Sequence, residues 1–180
     1  MGNNKKAHPF RSSLLIASGT FIVSILIFIA SELFLRSVAF LLGLILLMII
    51  IFIGILFDIV GVASAAAEEP SLNAKAAKKI PGAREAVILV KNADKVSSFC
   101  NDVIGDISGT LSGGIGAALV FKLILINPDA NQLFWSSIMA GIVAALTVGG
   151  KAFAKKFAIE NSTEIIFWVG KLIRKVRTFY

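Results

Sequence analysis

Four apolar runs, each on the scale of a lipid bilayer, dominate this chain and leave few folds open to it. They cover residues 14–35, 38–57, 97–126 and 133–148. A spanning helix needs about 20 largely apolar residues and satisfies its own backbone hydrogen bonds inside lipid, so runs of this kind read as membrane spans. The last is the shortest, and its ends are the least defined. Composition agrees: the chain is 57% hydrophobic and 16% charged, with a mean hydropathy of +0.86. An ordinary soluble domain of this length is far more polar. Fourteen Phe against one Tyr suit a lipid-facing surface. The expected fold is all-α: a polytopic membrane protein of about four transmembrane helices, with juxtamembrane helices and a C-terminal amphipathic helix.

Taken in order, residues 1–13 form a polar tail ending near Arg11. The first apolar run exceeds the 7–15 residues of a signal peptide and is closed by no small-x-small site, so it reads as a span rather than a leader. Residues 14–57 make a transmembrane hairpin, broken only by SELFLRS with Glu32 and Arg36. Past Asp58 the second run continues as IVGVASAAA until Glu68, Glu69 and Pro70, which predicts a helix tilted or interrupted near Gly61. The 58–96 segment is juxtamembrane, and Pro81-Gly82 divides it into two short surface helices, KAAKK and AREAVILV. Asn92 is placed to cap the helix from Ala93. Residues 97–150 form a glycine-rich transmembrane hairpin turning at Asn127-Pro-Asp-Ala-Asn. Residues 151–180 end in a basic amphipathic helix, with Asn161 or Ser162 as its N-cap and Glu164 in its first turn. With four cations on about 15 residues, it is expected on the anionic inner leaflet or packed on the protein's own cytoplasmic face.

Charge sets the orientation. Of 18 Lys and Arg, three precede the first span, six lie in 70–95 and seven follow the last span; Arg36 and Lys122 are the others. Under the positive-inside rule both termini and the 70–95 segment are cytoplasmic. The net charge of +7 is thus a topology signal, with no nucleic-acid partner implied. Cys100 stands alone and His8 is the single histidine, so neither an internal disulfide nor a Cys/His zinc site is available. Enzyme motifs are absent: no GxSxG, Walker loop or HExxH occurs. GTLSGGIG lacks the lysine of a phosphate loop and reads as a packing surface. An aspartyl protease needs acids from two facing helices, and Asp102 and Asp106 share one. The chain is expected not to be an enzyme.

The chemistry concentrates in residues 97–116, SSFCNDVIGDISGTLSGGIG. On an α-helix Ser98, Asp102 and Asp106 recur at i, i+4 and i+8 and share a face. Gly105, Gly109 and Gly113 form a GxxxGxxxG row beside them, which predicts a homodimer or a tight bundle seamed there. Gly141, Ala145 and Gly149 make a second small-residue row. A carboxylate at membrane depth is costly and reads as functional.

The passage ASAAAEEP, followed by KKIPGAREAVILVKNADKVSSFCNDVIGD, resembles the transmembrane domain of the CorC/CNNM (CorB-like) magnesium transporters. That family has a span ending in a Ser-rich, Glu-containing motif, a basic juxtamembrane helix and a following span with an Asn. The likeness covers roughly residues 40–180. It implies a homodimer with a Mg²⁺ site from Ser64, Glu68 and Asn101. The Ser-to-Glu spacing is one residue longer than in the family, Cys100 replaces a glycine, Asp102 and Asp106 are additional acids, and a span precedes the matching region.

Elementary coordination chemistry leads to the same residues. Mg²⁺ takes oxygen ligands in near-octahedral geometry and keeps several waters. Asp58, Ser64 and Glu68 close one span where Ser98, Asn101, Asp102 and Asp106 open the next. The expected metal ligands are Ser64, Glu68, Asn101 and Asp102, with Asp106 setting the charge one turn deeper. The function read from the sequence is divalent-cation transport, most simply of Mg²⁺, by a homodimer in a bacterial plasma membrane with an anionic inner leaflet. The alternative is a non-transporting scaffold that binds another membrane protein through its glycine faces.

Overall fold

A computed structural model describes residues 9–178, and the regular elements among them are all helical. In chain order they are α1 (Pro9–Ser37), α2 (Phe40–Ala66), α3 (Glu69–Ala77), α4 (Ala83–Lys91), α5 (Ala93–Ser98), a π-helical segment (Phe99–Gly105), α6 (Asp106–Ile126), α7 (Gln132–Glu160) and α8 (Ser162–Thr178). Four stretches are long and apolar enough to cross a membrane: Leu14–Leu33, Phe40–Ala66, Ala93–Ile126 and Gln132–Glu160. The protein is therefore an all-α polytopic membrane protein. One sequence boundary needs correction: the last span reaches Glu160 rather than ending near 148. α2 runs unbroken through Gly61 to Ala66, which leaves the uninterrupted one of the two forms expected there, and the break before the final helix falls at Asn161, where the cap was expected.

α2 is the axis. It packs on α6 and α7, which also pack on each other, while α1 lies against α6. The glycines of α2 explain its place. A side chain at Gly43 would meet Leu119 Cδ2 at 2.6 Å, one at Gly54 would meet Ser108 Cβ at 2.8 Å, and one at Gly61 would run into Asn101. The glycines are 11 and 7 residues apart, and so are their partners in reverse order. This is one antiparallel seam along the whole span, made possible by three positions with no Cβ. Leu35, Leu47, Ile51, Ile115, Leu119 and Val143 fill the middle of the bundle. α1 contributes mainly a lipid-facing surface, with Leu15, Phe21 and Leu26 all exposed.

Lys122 closes one end. Its Nζ donates to the carbonyls of Leu35, at 2.7 Å, and Val38, so an α6 cation satisfies acceptors left unpaired where α1 stops and α2 begins. The 127–131 turn lies at the foot of α6, with Ala130 N donating to Asn127 O and Asn131 Oδ1 accepting from Phe134 N to cap α7.

At the other end the short helices build a second core from Ala63, Leu72, Ala86, Val87, Ala158, Ile166 and Phe167. Pro81-Gly82 separates α3 from α4 as expected, and Gly82 adopts φ +86°. Asn92 does not cap α5; its Nδ2 donates back to Ile88 O instead. Asn161 likewise turns back to Phe157 O, while Ser162 Oγ donates to Ala66 O at 3.2 Å. α8 crosses α4 at close range: a Cβ on Gly170 would strike the Gly82 carbonyl. Its other flank, with Trp168, Leu172, Ile173 and Val176, is exposed. Glu164 of its first turn pairs with Lys75 at 2.6 Å.

Candidate functional site

The site grows out of the π-helical segment. Such segments carry i→i+5 hydrogen bonds, widen the winding locally and occur mostly at functional positions. Here the wider turn, FCNDVIG, lies opposite the last two turns of α2. Two side-chain bonds tie its start to α5: Asn101 Nδ2 donates to Ser97 Oγ at 3.2 Å, and Ser98 Oγ donates to Asp102 Oδ2 at 2.7 Å.

Asn101 then faces α2. Its Oδ1 is fully buried, has no hydrogen-bond partner and is pressed against Gly61, where a Cβ would also lie 2.8 Å from Asn101 Cγ. A buried amide oxygen without a donor costs about 1–3 kcal/mol, so its retention asks for an explanation. One turn along α2, the buried Ser64 donates its hydroxyl to Gly61 O at 2.8 Å. Gly61 thus has an amide oxygen packed against it and a hydroxyl bonded to its carbonyl.

One turn the other way stands Asp58, paired with Lys151 of α7 at 3.8 Å, their side chains 14% and 30% exposed. The Lys151 ammonium also lies 3.0 Å from where a Gly105 Cβ would be, at the end of the π segment. Beside it opens a cleft of about 410 Å³ between α2, α6 and α7, lined by Asp106, Ser108, Thr110, Thr147 and Lys151. From Ser64 to Asp106 these groups form a polar seam, joined across the bundle by the Asp58–Lys151 pair.

The predicted ligands are divided by this geometry. Ser64 and Asn101 meet at Gly61. Glu68 follows α2 with its side chain exposed, and its backbone N–H donates to Thr163 Oγ1 at 3.2 Å. Asp102 opens onto a cleft with Ile16, Ala17, Thr20 and Ser24 of α1, whereas Asp106 faces the α2–α6–α7 cleft. The two acids therefore open onto different clefts. Among the described residues, no three His, Cys, Asp or Glu side chains come together as a metal-binding group.

The chain matches no family model, no curated protein and no solved structure.

Two members of the seam are not among the expected ligands. Asp58 stands with Ser64 and Glu68 at the end of one span, and Lys151 counts only as one of seven cations that set topology. Their signal was a charge inside each of two long helices, at positions that become neighbours only when α2 and α7 pack. Of the two forms expected for the Gly105, Gly109 and Gly113 row, a homodimer or a tight bundle, the seam within the bundle does not form. Gly105 receives Lys151, but at Gly109 and Gly113 an added Cβ would meet nothing within 4 Å. No seam within the chain forms at those two positions; close contacts fall instead at the α2 glycines and at Gly114, Gly116 and Gly150.

Proposed function

We propose that this protein binds and translocates a small hydrated cation through the polar seam between α2, the π segment and α7, with Mg²⁺ as the cargo whose oxygen preference fits best. One observation carries the reading: the Asn101 Oδ1 acceptor, buried and unpartnered, packed against Gly61, whose carbonyl holds the Ser64 hydroxyl. Mg²⁺ bound through few protein oxygens and several waters needs only one or two carboxylates, and Asp58 is the one nearest along α2. Glu68, Asp102 and Asp106 lie on separate surfaces; the proposal gives them a role at the mouths of the seam, where they concentrate cations. With it goes the family reading, in which residues 40–180 form a CorC/CNNM-like transmembrane domain, and the orientation in which both termini face the cytoplasm.

The test is thermal unfolding of purified protein in detergent against Mg²⁺, with KCl at matched ionic strength. A bound cation stabilises by RT ln(1 + [Mg²⁺]/Kd), about 2.7 kcal/mol at a hundredfold excess over Kd. Wild type should show this rise in Tm and Asn101→Ala should lose most of it. Flat curves in Mg²⁺ for both overturn the proposal.

A second reading keeps a specific observation. Gly109, Gly113, Gly141 and Gly149 all face open space. These are surfaces on which a second copy, or another membrane protein, can seat a helix. If Gly109→Leu abolishes cross-linking between copies while the Mg²⁺ response persists, the faces serve a homodimer. Loss of a stoichiometric foreign partner, with no Mg²⁺ response at any stage, supports the scaffold.

A further inference from the structure

A lysine whose ammonium reaches an acid within a membrane bundle either holds two helices together or stands in for something else. Lys151 has the marks of the second role. Its Nζ is 3.8 Å from Asp58 Oδ1, beyond the 2.7–2.9 Å or so of a charge-assisted hydrogen bond. The two charges attract without being locked together. The ammonium is housed by an absence, because Gly105 offers no Cβ and leaves 3.0 Å between that position and Nζ. The 410 Å³ cleft beside it is lined by a second acid, Asp106, and by the hydroxyls of Ser108, Thr110 and Thr147. Lysine is a compact, strongly hydrated charge on a flexible four-carbon stem, which suits movement between two acids better than an arginine fork would.

We infer that Lys151 is a tethered counter-ion: it neutralises Asp58 while the seam is empty, and an incoming cation displaces it into the cleft toward Asp106. This rests on the cation reading above and adds its regulation. An acid only 14% exposed needs a positive partner, since removing one member of a buried pair leaves an uncompensated charge. With Lys151 present, a cation binding at Asp58 must compete with it. The lysine therefore lowers the affinity of the seam and guards it against weakly binding monovalent ions, while its displacement keeps the seam from holding two excess positive charges at one carboxylate.

Two measurements on the full-length protein in detergent test this. The first is the Mg²⁺ midpoint of the thermal shift at constant ionic strength. Lys151→Gln keeps length and polarity but removes the competitor, so its midpoint should fall at least tenfold below wild type. Lys151→Arg should stay within about threefold of wild type, and adding Asp58→Asn to Lys151→Gln should abolish the gain. The second needs no variant: wild-type protein is pulse-acetylated with an amine-reactive reagent, and the Lys151 peptide is quantified by mass spectrometry. Mg²⁺, but not KCl, should raise Lys151 acetylation several-fold, with Lys155 and Lys156 as unaffected references. If wild type responds to Mg²⁺ yet the Lys151→Gln midpoint is unchanged or higher, or Lys151 acetylation does not rise, Lys151 is a structural partner and the inference is wrong while the cation site stands. If no form responds to Mg²⁺, the cation site itself falls and the inference with it.

Discussion

Gly61 is the residue on which the seam turns. In a helix interior an alanine is ordinarily worth up to about 1 kcal/mol over glycine. At this position a Cβ meets Asn101 Cγ at 2.8 Å and Nδ2 at 3.0 Å as well as Oδ1. Gly61→Ala should therefore destabilise by about 1–3 kcal/mol through overpacking, seen as a lower Tm in detergent. Asn101→Ala in the same chain should recover most of the loss, a coupling that a double-mutant cycle reads directly. Gly109→Ala is the control: nothing lies within 4 Å, so Tm should hold or rise slightly. Much of this was legible in the sequence. Asn101 and Ser64 stood out as oxygen-bearing side chains near the ends of two spans, and the structure brings both to the same residue, Gly61. Lys151 did not stand out, because its importance comes from the packing of α7 on α2 and not from its neighbours in sequence. That Asp102 and Asp106 line different clefts was equally hidden, since those clefts are made by α1 on one side and by α2 and α7 on the other.

Among the elements, the short helices were the most legible. Pro81-Gly82 carries its own punctuation, and the structure turns there. Its physical requirement is stricter than a turn alone: Gly82 has φ +86°, and a Cβ there would lie 2.6 Å from Lys171 Cα and N. Left-handed backbone and helix crossing thus fall on one residue. Gly82→Ala should cost on the order of 2 kcal/mol or more, as both effects act together, and should loosen α8 from α4. Hydrogen exchange would register this as faster exchange in 162–178 with little change across 40–66. The seam between spans was less legible. The glycines of α6 form the more conspicuous row, yet the spacing of Gly43, Gly54 and Gly61 is the one matched across the bundle. A glycine states only that space is left, and which neighbour takes it is decided by the other helix. α8 shows why both readings of an amphipathic helix can hold at once: Ile166 and Phe167 are buried against the protein, while Trp168, Leu172 and Val176 remain exposed on another flank.

For the whole molecule, the apolar runs and the clustering of cations at one end set the architecture, and the fold follows them. The proposed orientation makes a direct prediction. In a Cys100→Ala background, single cysteines at Asn3, Glu85 and Thr178 should be labelled only from the cytoplasmic side, and one at Asp129 only from outside. An external signal at Glu85 would reverse the assignment of the seam to the cytoplasmic half of the bilayer. The largest distances in sequence are closed where α8 meets the end of α2. Ser162 Oγ bonds Ala66 O and Thr163 Oγ1 receives Glu68 N–H, partners separated by 96 and 95 residues. Contacts this remote form only after the intervening chain is in place. The carbonyl end of α2, one turn from Ser64, thus waits during synthesis for a buttress that is translated about a hundred residues later. The spans can pair in the bilayer while the ribosome is still at work, but the wall of the seam is set only when the 17 residues of α8 arrive. A copy interrupted before α8 is then a membrane-inserted protein whose α2 end lacks its buttress, so the far wall of the bundle depends on residues that reach the membrane well after α2 does.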